Sequence, residues 1–282
     1  MNQSGQTNTR WALALFTATL LLFLPTWVWL VEAWWSDPYY SHAVLIVPVS
    51  LYLAWVQRKA FSENPPMPNN LGFILVAIAL GIHLWSMVWR AYYISALIIP
   101  LALAGLGTAL FGGRITRRFW FPLAFMIFMV PLPIAERVGP VLEGWGATSA
   151  TSVAQFLGVA ARNEGSQVFL PNSTFTVGIP CGGLRSIIAI ITLVTLWAYI
   201  AQGRVIARLF VWLTSIPIAI AANTLRITLL FVIAYYWGAD TGLDYFHDWS
   251  SPVLFLLSFM LLLVIAKIVK SSNVRWEVVI PS

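Results

Sequence analysis

The sequence predicts an all-α protein, a polytopic membrane helical bundle of about eight transmembrane helices, and three observations carry that expectation. Hydrophobic residues fill 60% of the 282 positions and charged residues only 9%. A soluble domain carries roughly 25% charged residues to solvate its surface. Eight apolar runs approach the roughly 20 residues that a bilayer-crossing helix needs. The charged residues fall largely between these runs and sort by sign. Fifteen Trp and nine Tyr suit the amphipathic belts at a membrane surface.

The runs lie near 11–31, 39–57, 71–89, 91–112, 118–134, 182–201, 205–237 and 250–270. The first is too long for a signal-peptide core, lacks a small-residue cleavage site and is followed by further spans, so it reads as a retained helix. The run at 205–237 is too long for one simple span and short for two. Either Pro217 kinks it, or Ala221-Ala222-Asn223 marks a re-entrant turn. With a cytoplasmic N-terminus and one crossing there, Arg10, Arg58, Lys59, Arg114, Arg117, Arg118, Arg204, Arg208, Lys267, Lys270 and Arg275 fall inside. Glu32, Asp37, Glu136, Glu143, Glu164, Asp240, Asp244 and Asp248 fall outside. The bias of Lys and Arg towards the cytoplasm favours this arrangement, with both termini cytoplasmic. Two crossings would export Lys267 and Lys270.

The long connection at 135–180 is then an outer segment. From Val141 to Ala160, Leu142, Trp145, Val153, Phe156 and Leu157 share one helical face, and Thr148, Ser152 and Gln155 lie opposite. That pattern predicts one interfacial amphipathic segment. Arg162-Asn163-Glu164-Gly165 breaks it. Val168-Phe169-Leu170 and Thr174 to Val177, joined by Pro171-Asn172-Ser173, predict a short outer hairpin. Asn172-Ser173-Thr174 is formally a glycosylation sequon. With no internal repeat or low-complexity tract, 1–282 reads as a single integral membrane domain.

Charge and cysteine content narrow the function classes. The net charge of +6 and pI near 9.7 come from loops that face anionic lipid headgroups, so no nucleic-acid partner is expected. One cysteine excludes an internal disulfide and a cysteine-cluster metal site. His42, His83 and His247 lack metal-ligand spacing. No cofactor or metal is expected.

The candidate chemistry gathers at Cys181. Pro180, Gly182 and Gly183 mark a chain reversal that leads into a helix, and a helix N-terminus favours negative charge. That setting lowers a thiol pKa and produces the reactive thiolate. Arg185, four residues on, adds positive potential. An ordinary role as a small packing residue is the alternative for this cysteine. Arg226 stands in an apolar stretch, where a charge is costly and marks a functional candidate; simple anchoring to phosphates is the alternative. Counting from Arg208 brings it near the outer boundary. Asn223 lies one turn earlier and can orient it. His247, at the mouth of the last run, has a side chain suited to proton transfer near neutral pH, with Asp244 and Asp248 beside it. Taken alone it is an exposed loop histidine. Together a thiolate, a histidine and an arginine meet the needs of acyl transfer through a thioester. His42 reads as structural or substrate-lining. His83, within a run, suits a hydrogen bond between helices.

At these residues the chain resembles the exosortase/archaeosortase family of polytopic membrane transpeptidases. The resemblance runs from Trp35 and Asp37-Pro-Tyr-Tyr-Ser-His42 to Trp55, through Val130-Pro-Leu-Pro133, Cys181-Gly-Gly-Leu-Arg185 and Asn223-Thr-Leu-Arg226, to His247. It departs from the commoner pattern at Pro180 and Gly182. The resemblance implies a membrane-embedded cysteine protease/transpeptidase in the bacterial cytoplasmic (inner) membrane. Cys181 would be the nucleophile, His247 the acid/base and Arg226 the oxyanion partner, with Arg185, Asn223 and Asp248 supporting. The implied partners are exported proteins bearing a C-terminal motif (PEP-CTERM being the best known), a transmembrane helix and a basic tail. A cell-surface acceptor would receive them, often alongside exopolysaccharide production. A second reading is a transporter or lipid-carrier-binding subunit in exopolysaccharide export, with Arg226 binding phosphate. The lack of an Asp or Glu deep in any run weighs against a proton-coupled carrier. A third is a family member that binds sorting signals without cutting them.

Overall fold

The computed structural model describes residues 3–178, 183–239 and 247–280, with the side chains of 3–11, 134–135 and 247–248 outside that description. In chain order its helices are α1 (Gln3–Leu22), α2 (Leu24–Ser36), α3 (Ile46–Val56), α4 (Ala60–Glu63), α5 (Leu71–Val88), α6 (Tyr92–Phe111), α7 (Gly113–Thr116), α8 (Trp120–Phe125) and α9 (Ile134–Phe156). Three strands follow, β1 (Arg162–Glu164), β2 (Gln167–Leu170) and β3 (Ser173–Thr176). The chain then forms α10 (Leu184–Ile200), α11 (Val205–Trp237) and α12 (His247–Ile268). Two compact units result, Met1–Leu132 with Trp276–Ser282, and Pro133–Arg275.

Among the described residues, five helical segments are long and apolar enough to cross a membrane, and six if α1 and α2, bent by 59°, make one span. The protein is therefore a multi-pass, all-α membrane bundle. Two of the eight expected runs take another form. The run at 118–134 is broken into α8 and a 3-10 turn at Met126–Met129. Pro122, Pro131 and Pro133 each lack an N–H and disrupt a longer ladder. The run at 182–201 yields α10, with 17 residues. By contrast α11 runs unbroken for 33 residues through Pro217 and Ala221-Ala222-Asn223, so no re-entrant turn forms there. Its length is about 50 Å at 1.5 Å per residue, well beyond a hydrocarbon core of about 30 Å.

In the first unit, α5 and α6 pack backbone to backbone. A Cβ on Gly72 would lie 2.1 Å from the Ala109 nitrogen, and one on Gly105 would lie 2.9 Å from Val76 N. Small residues at such crossings let helices approach closely where lipid supplies no hydrophobic drive. Three buried polar side chains here form a chain: Thr26 Oγ1 pairs with Ser95 Oγ at 2.5 Å, and Ser95 Oγ with His83 Nδ1 at 2.7 Å. The expected inter-helix role of His83 is thus observed. Trp34 donates Nε1–H to the Met129 carbonyl at 2.7 Å.

In the second unit, α9 packs on α11 through its small face. Ala147, Ala150 and Ala154 are fully buried against Ile227, Leu230, Phe231 and Ala234. Trp145 and Phe156, from the apolar face read in the sequence, are 66% and 89% exposed. Rings pointing out of the protein suit a lipid or interfacial surroundings. The expected outer hairpin is present as β2 and β3, joined through the two residues Pro171-Asn172. A third strand, β1, extends it, turning at Gly165 with φ +61°. The sheet order is β1-β2-β3. Val168, Phe175 and Val177 face the α9–α11 core, and the Phe175 and Phe231 rings lie 5.9 Å apart. A second core joins α10, α11 and α12 through Ile190, Val194, Val211, Leu262 and Ala266.

Enlarging the α9 seam therefore carries a cost. Ala150→Leu is expected to destabilise the protein by about 1–3 kcal/mol through overpacking, read as a lower melting temperature in detergent, whereas Phe156→Ala leaves it nearly unchanged. An Ala150→Leu variant that melts like wild type would show that this face is not a packing seam.

Candidate active site

The site grows from the N-terminus of α10. Its N-cap is Gly183, in the left-handed region at φ +82°. A Cβ there would stand 2.6 Å from Asn223 Nδ2 and 2.7 Å from Asn223 Cγ. Glycine is thus required twice, for the backbone angle and for the space that the Asn223 amide occupies. Asn223 projects from the middle of α11 and is 8% exposed.

Arg226 lies three residues further along α11 and is 7% exposed. Its Nη2 donates to Asn223 Oδ1 at 3.0 Å, and its Nη1 donates to Ser251 Oγ of α12. A guanidinium presents five donors in a planar fork, so two partners at different nitrogens fix its plane. A charge held away from water is costly unless its hydrogen bonds are made. With the close approach of Asn223 to Gly183, those two bonds bring the α10 cap, the middle of α11 and the first turns of α12 into one constellation.

Two clefts meet at Asn223. One, narrow, is lined by Ser186, Ile190, Asn223, Arg226, Ser251 and Ser258 among others. The other, roomier, is lined by residues including Leu142, Trp145, Gly183, Ile187, Ile220 and Asn223. The first holds the cation and three hydroxyls. The second is mainly apolar.

The expected orientation of Arg226 by Asn223 is seen directly. Arg185 is the second residue of α10 and is exposed. Cys181 lies outside the described residues, two positions before Gly183 in the sequence. His247 opens α12, while its side chain and that of Asp248 lie outside the description, as does Asp244. Ser251 was missed in the sequence. A signal was available, since it follows His247 by four residues, the spacing that puts two side chains on one helical face. The left-handed cap at Gly183 was also unread, because the Gly182-Gly183 pair does not say which residue takes that angle. Among the described residues, no group of three or more His, Cys, Asp or Glu side chains forms a metal site.

Fold and site together define a multi-pass membrane protein with a buried arginine anchored where three helices meet. The sequence model of the transmembrane exosortase family matches residues 34–264, and the chain belongs to that family, one of membrane-embedded, sorting-related enzymes. No curated protein and no solved structure shows significant similarity to it.

The cap makes a sharp prediction. Gly183→Ala places a side chain at positive φ, costing about 1–2 kcal/mol, and pushes Asn223 off Arg226. Lowered thermal stability together with lost activity is expected, and a variant that keeps both would refute the close approach.

Proposed function

We propose that this protein is a cysteine transpeptidase that cleaves C-terminal sorting signals of exported proteins through a thioester at Cys181. The single observation that carries this reading is the anchoring of Arg226. Its partners are Asn223, which packs on the residue two after Cys181, and Ser251, one helical turn from His247. Cys181 precedes by two residues of sequence the glycine against which Asn223 packs.

In the proposed reaction, the Cys181 thiolate attacks the scissile carbonyl carbon. Negative charge gathers on the carbonyl oxygen, where a preoriented guanidinium stabilises it without reorganising. His247 gives its proton to the departing amide nitrogen, and the C-terminal helix of the substrate leaves as an amine. His247 then takes a proton from the acceptor nucleophile as that group attacks the thioester, which regenerates the thiolate. In a partly dehydrated site the arginine acts more strongly than it would in water. The scissile bond lies just beyond the substrate's own transmembrane helix, so lateral diffusion delivers it. We place the enzyme in the bacterial cytoplasmic membrane with both termini inside and the site on the outer face, consistent with the sorting of Lys and Arg along the sequence. The acceptor lies at the cell surface.

The test is to express wild type and Cys181→Ala in membranes with a tagged substrate carrying a motif, a helix and a basic tail. Wild type should shorten the substrate and Cys181→Ala should not, while remaining inserted and folded. Normal processing by Cys181→Ala would sink the proposal. Arg226→Ala should lower kcat by roughly 10² or more, as loss of an oxyanion donor does. Unaltered kcat in that variant would remove Arg226 from the reaction.

A further inference from the structure

Among the described residues, only one of the two edges of the small sheet is protected. β1 carries the Arg162–Glu164 ion pair at 2.7 Å, and Asn163 Nδ2 donates to Thr148 Oγ1 of α9 at 3.1 Å. Charges and a covering helix are the usual means of blunting an edge strand. β3, at the other end of the order β1-β2-β3, consists of Ser173-Thr174-Phe175-Thr176 and carries no charge, proline or covering helix among the described elements.

The register shows which backbone groups β3 offers. Val177 N–H donates to the Ser166 carbonyl at 2.8 Å, and Phe175 and Ser173 pair with Val168 and Leu170. Alternate residues of an antiparallel ladder bond the same neighbour. Ser173, Phe175 and Val177 therefore turn towards β2, and Thr174 and Thr176 turn their N–H and C=O groups outward. Both threonines are exposed, while Phe175 and Val177 are buried in the core beneath. The edge is thus held on a rigid base. In the sequence, the candidate nucleophile Cys181 follows Thr176 by five positions.

We propose that the free edge of β3 is the docking strand for the substrate: an extended peptide segment next to the scissile bond adds to the sheet as a fourth strand. The inference rests on acyl transfer at Cys181 and names how the peptide reaches it. Backbone hydrogen bonds at Thr174 and Thr176 supply affinity and register, as in other strand-addition complexes, and side-chain pockets supply specificity. An extended peptide also presents its scissile carbonyl outside any helix, where a thiolate can reach it. The small hydroxyl side chains of Thr174 and Thr176 leave room for a partner strand at its usual spacing of about 4.8 Å.

The experiment uses the full-length protein in membranes or detergent and a synthetic substrate peptide N-methylated at one backbone position at a time. Because the enzyme is unaltered, folding is not at issue. Processing should fall about tenfold at alternate positions, where each lost hydrogen bond weakens docking, and stay near normal at the positions between. In parallel, Thr176→Pro should lower kcat/KM about tenfold. Proline removes an N–H that points away from β2 and so spares the sheet. A flat N-methyl scan while Cys181→Ala remains inactive would overturn strand docking and leave the acyl-transfer reading standing. Normal processing by Cys181→Ala would overturn both. If Thr176→Pro instead converts a dimer to a monomer by native mass spectrometry without changing processing, the edge serves a second copy and the proposal falls.

Discussion

A guanidinium inside an apolar bundle has to be satisfied by the protein itself, and the second unit is arranged around that requirement at Arg226. Water cannot supply the missing hydrogen bonds once the residue is 7% exposed, and an incompletely paired buried charge costs several kcal/mol. Asn223 and Ser251 answer from two helices. Asn223 in turn needs the volume that a side chain at position 183 would fill. A left-handed glycine therefore caps α10, and the start of that helix is drawn against the middle of α11. The helix that supplies Ser251 begins at His247. One buried charge thus links the elements flanking every residue assigned to the proposed chemistry.

Packing elsewhere follows from the absence of a strong hydrophobic drive between helices in lipid. Helices close on each other where side chains are small enough for backbones to touch. Gly72 and Gly105 serve α5 and α6, and Ala147, Ala150 and Ala154 serve α9 and α11. Large apolar side chains gain as much from lipid as from protein, so Trp145 and Phe156 of α9 point outward. Three polar groups that remain inside, those of Thr26, Ser95 and His83, are joined in a chain. The α9 seam also fixes the base of the sheet, because Phe175 and Val177 enter the same core. In the sequence, β3 precedes Cys181 by a few residues. In the proposed function that gives a membrane-tethered peptide a track to follow, and the cleft beside Gly183 and Asn223 a reason to be largely apolar.

Much of this was legible in the amino-acid sequence, and the limits are physical. A charge fraction of 9% is incompatible with a solvated surface, so composition alone determined a membrane bundle. An arginine in an apolar run, with an asparagine three residues earlier on the same helical face, marked Asn223 as a residue that can orient Arg226, since spacing along one helix is a local property. Turn residues and alternation likewise marked β2 and β3. Other features depend on what lies across a contact. Hydrophobic periodicity found the outward apolar face of α9 but not the seam of Ala147, Ala150 and Ala154, because small residues leave little hydrophobic signal. The run at 118–134 had a span's composition, yet its prolines broke it into short turns. Ser251 lies 25 residues from Arg226, and no local pattern connects them. Which hydroxyl satisfies the guanidinium, and which glycine makes room for its asparagine, were decided only when three helices met, because hydrogen bonds between helices are set by distance in space and leave no period in the chain.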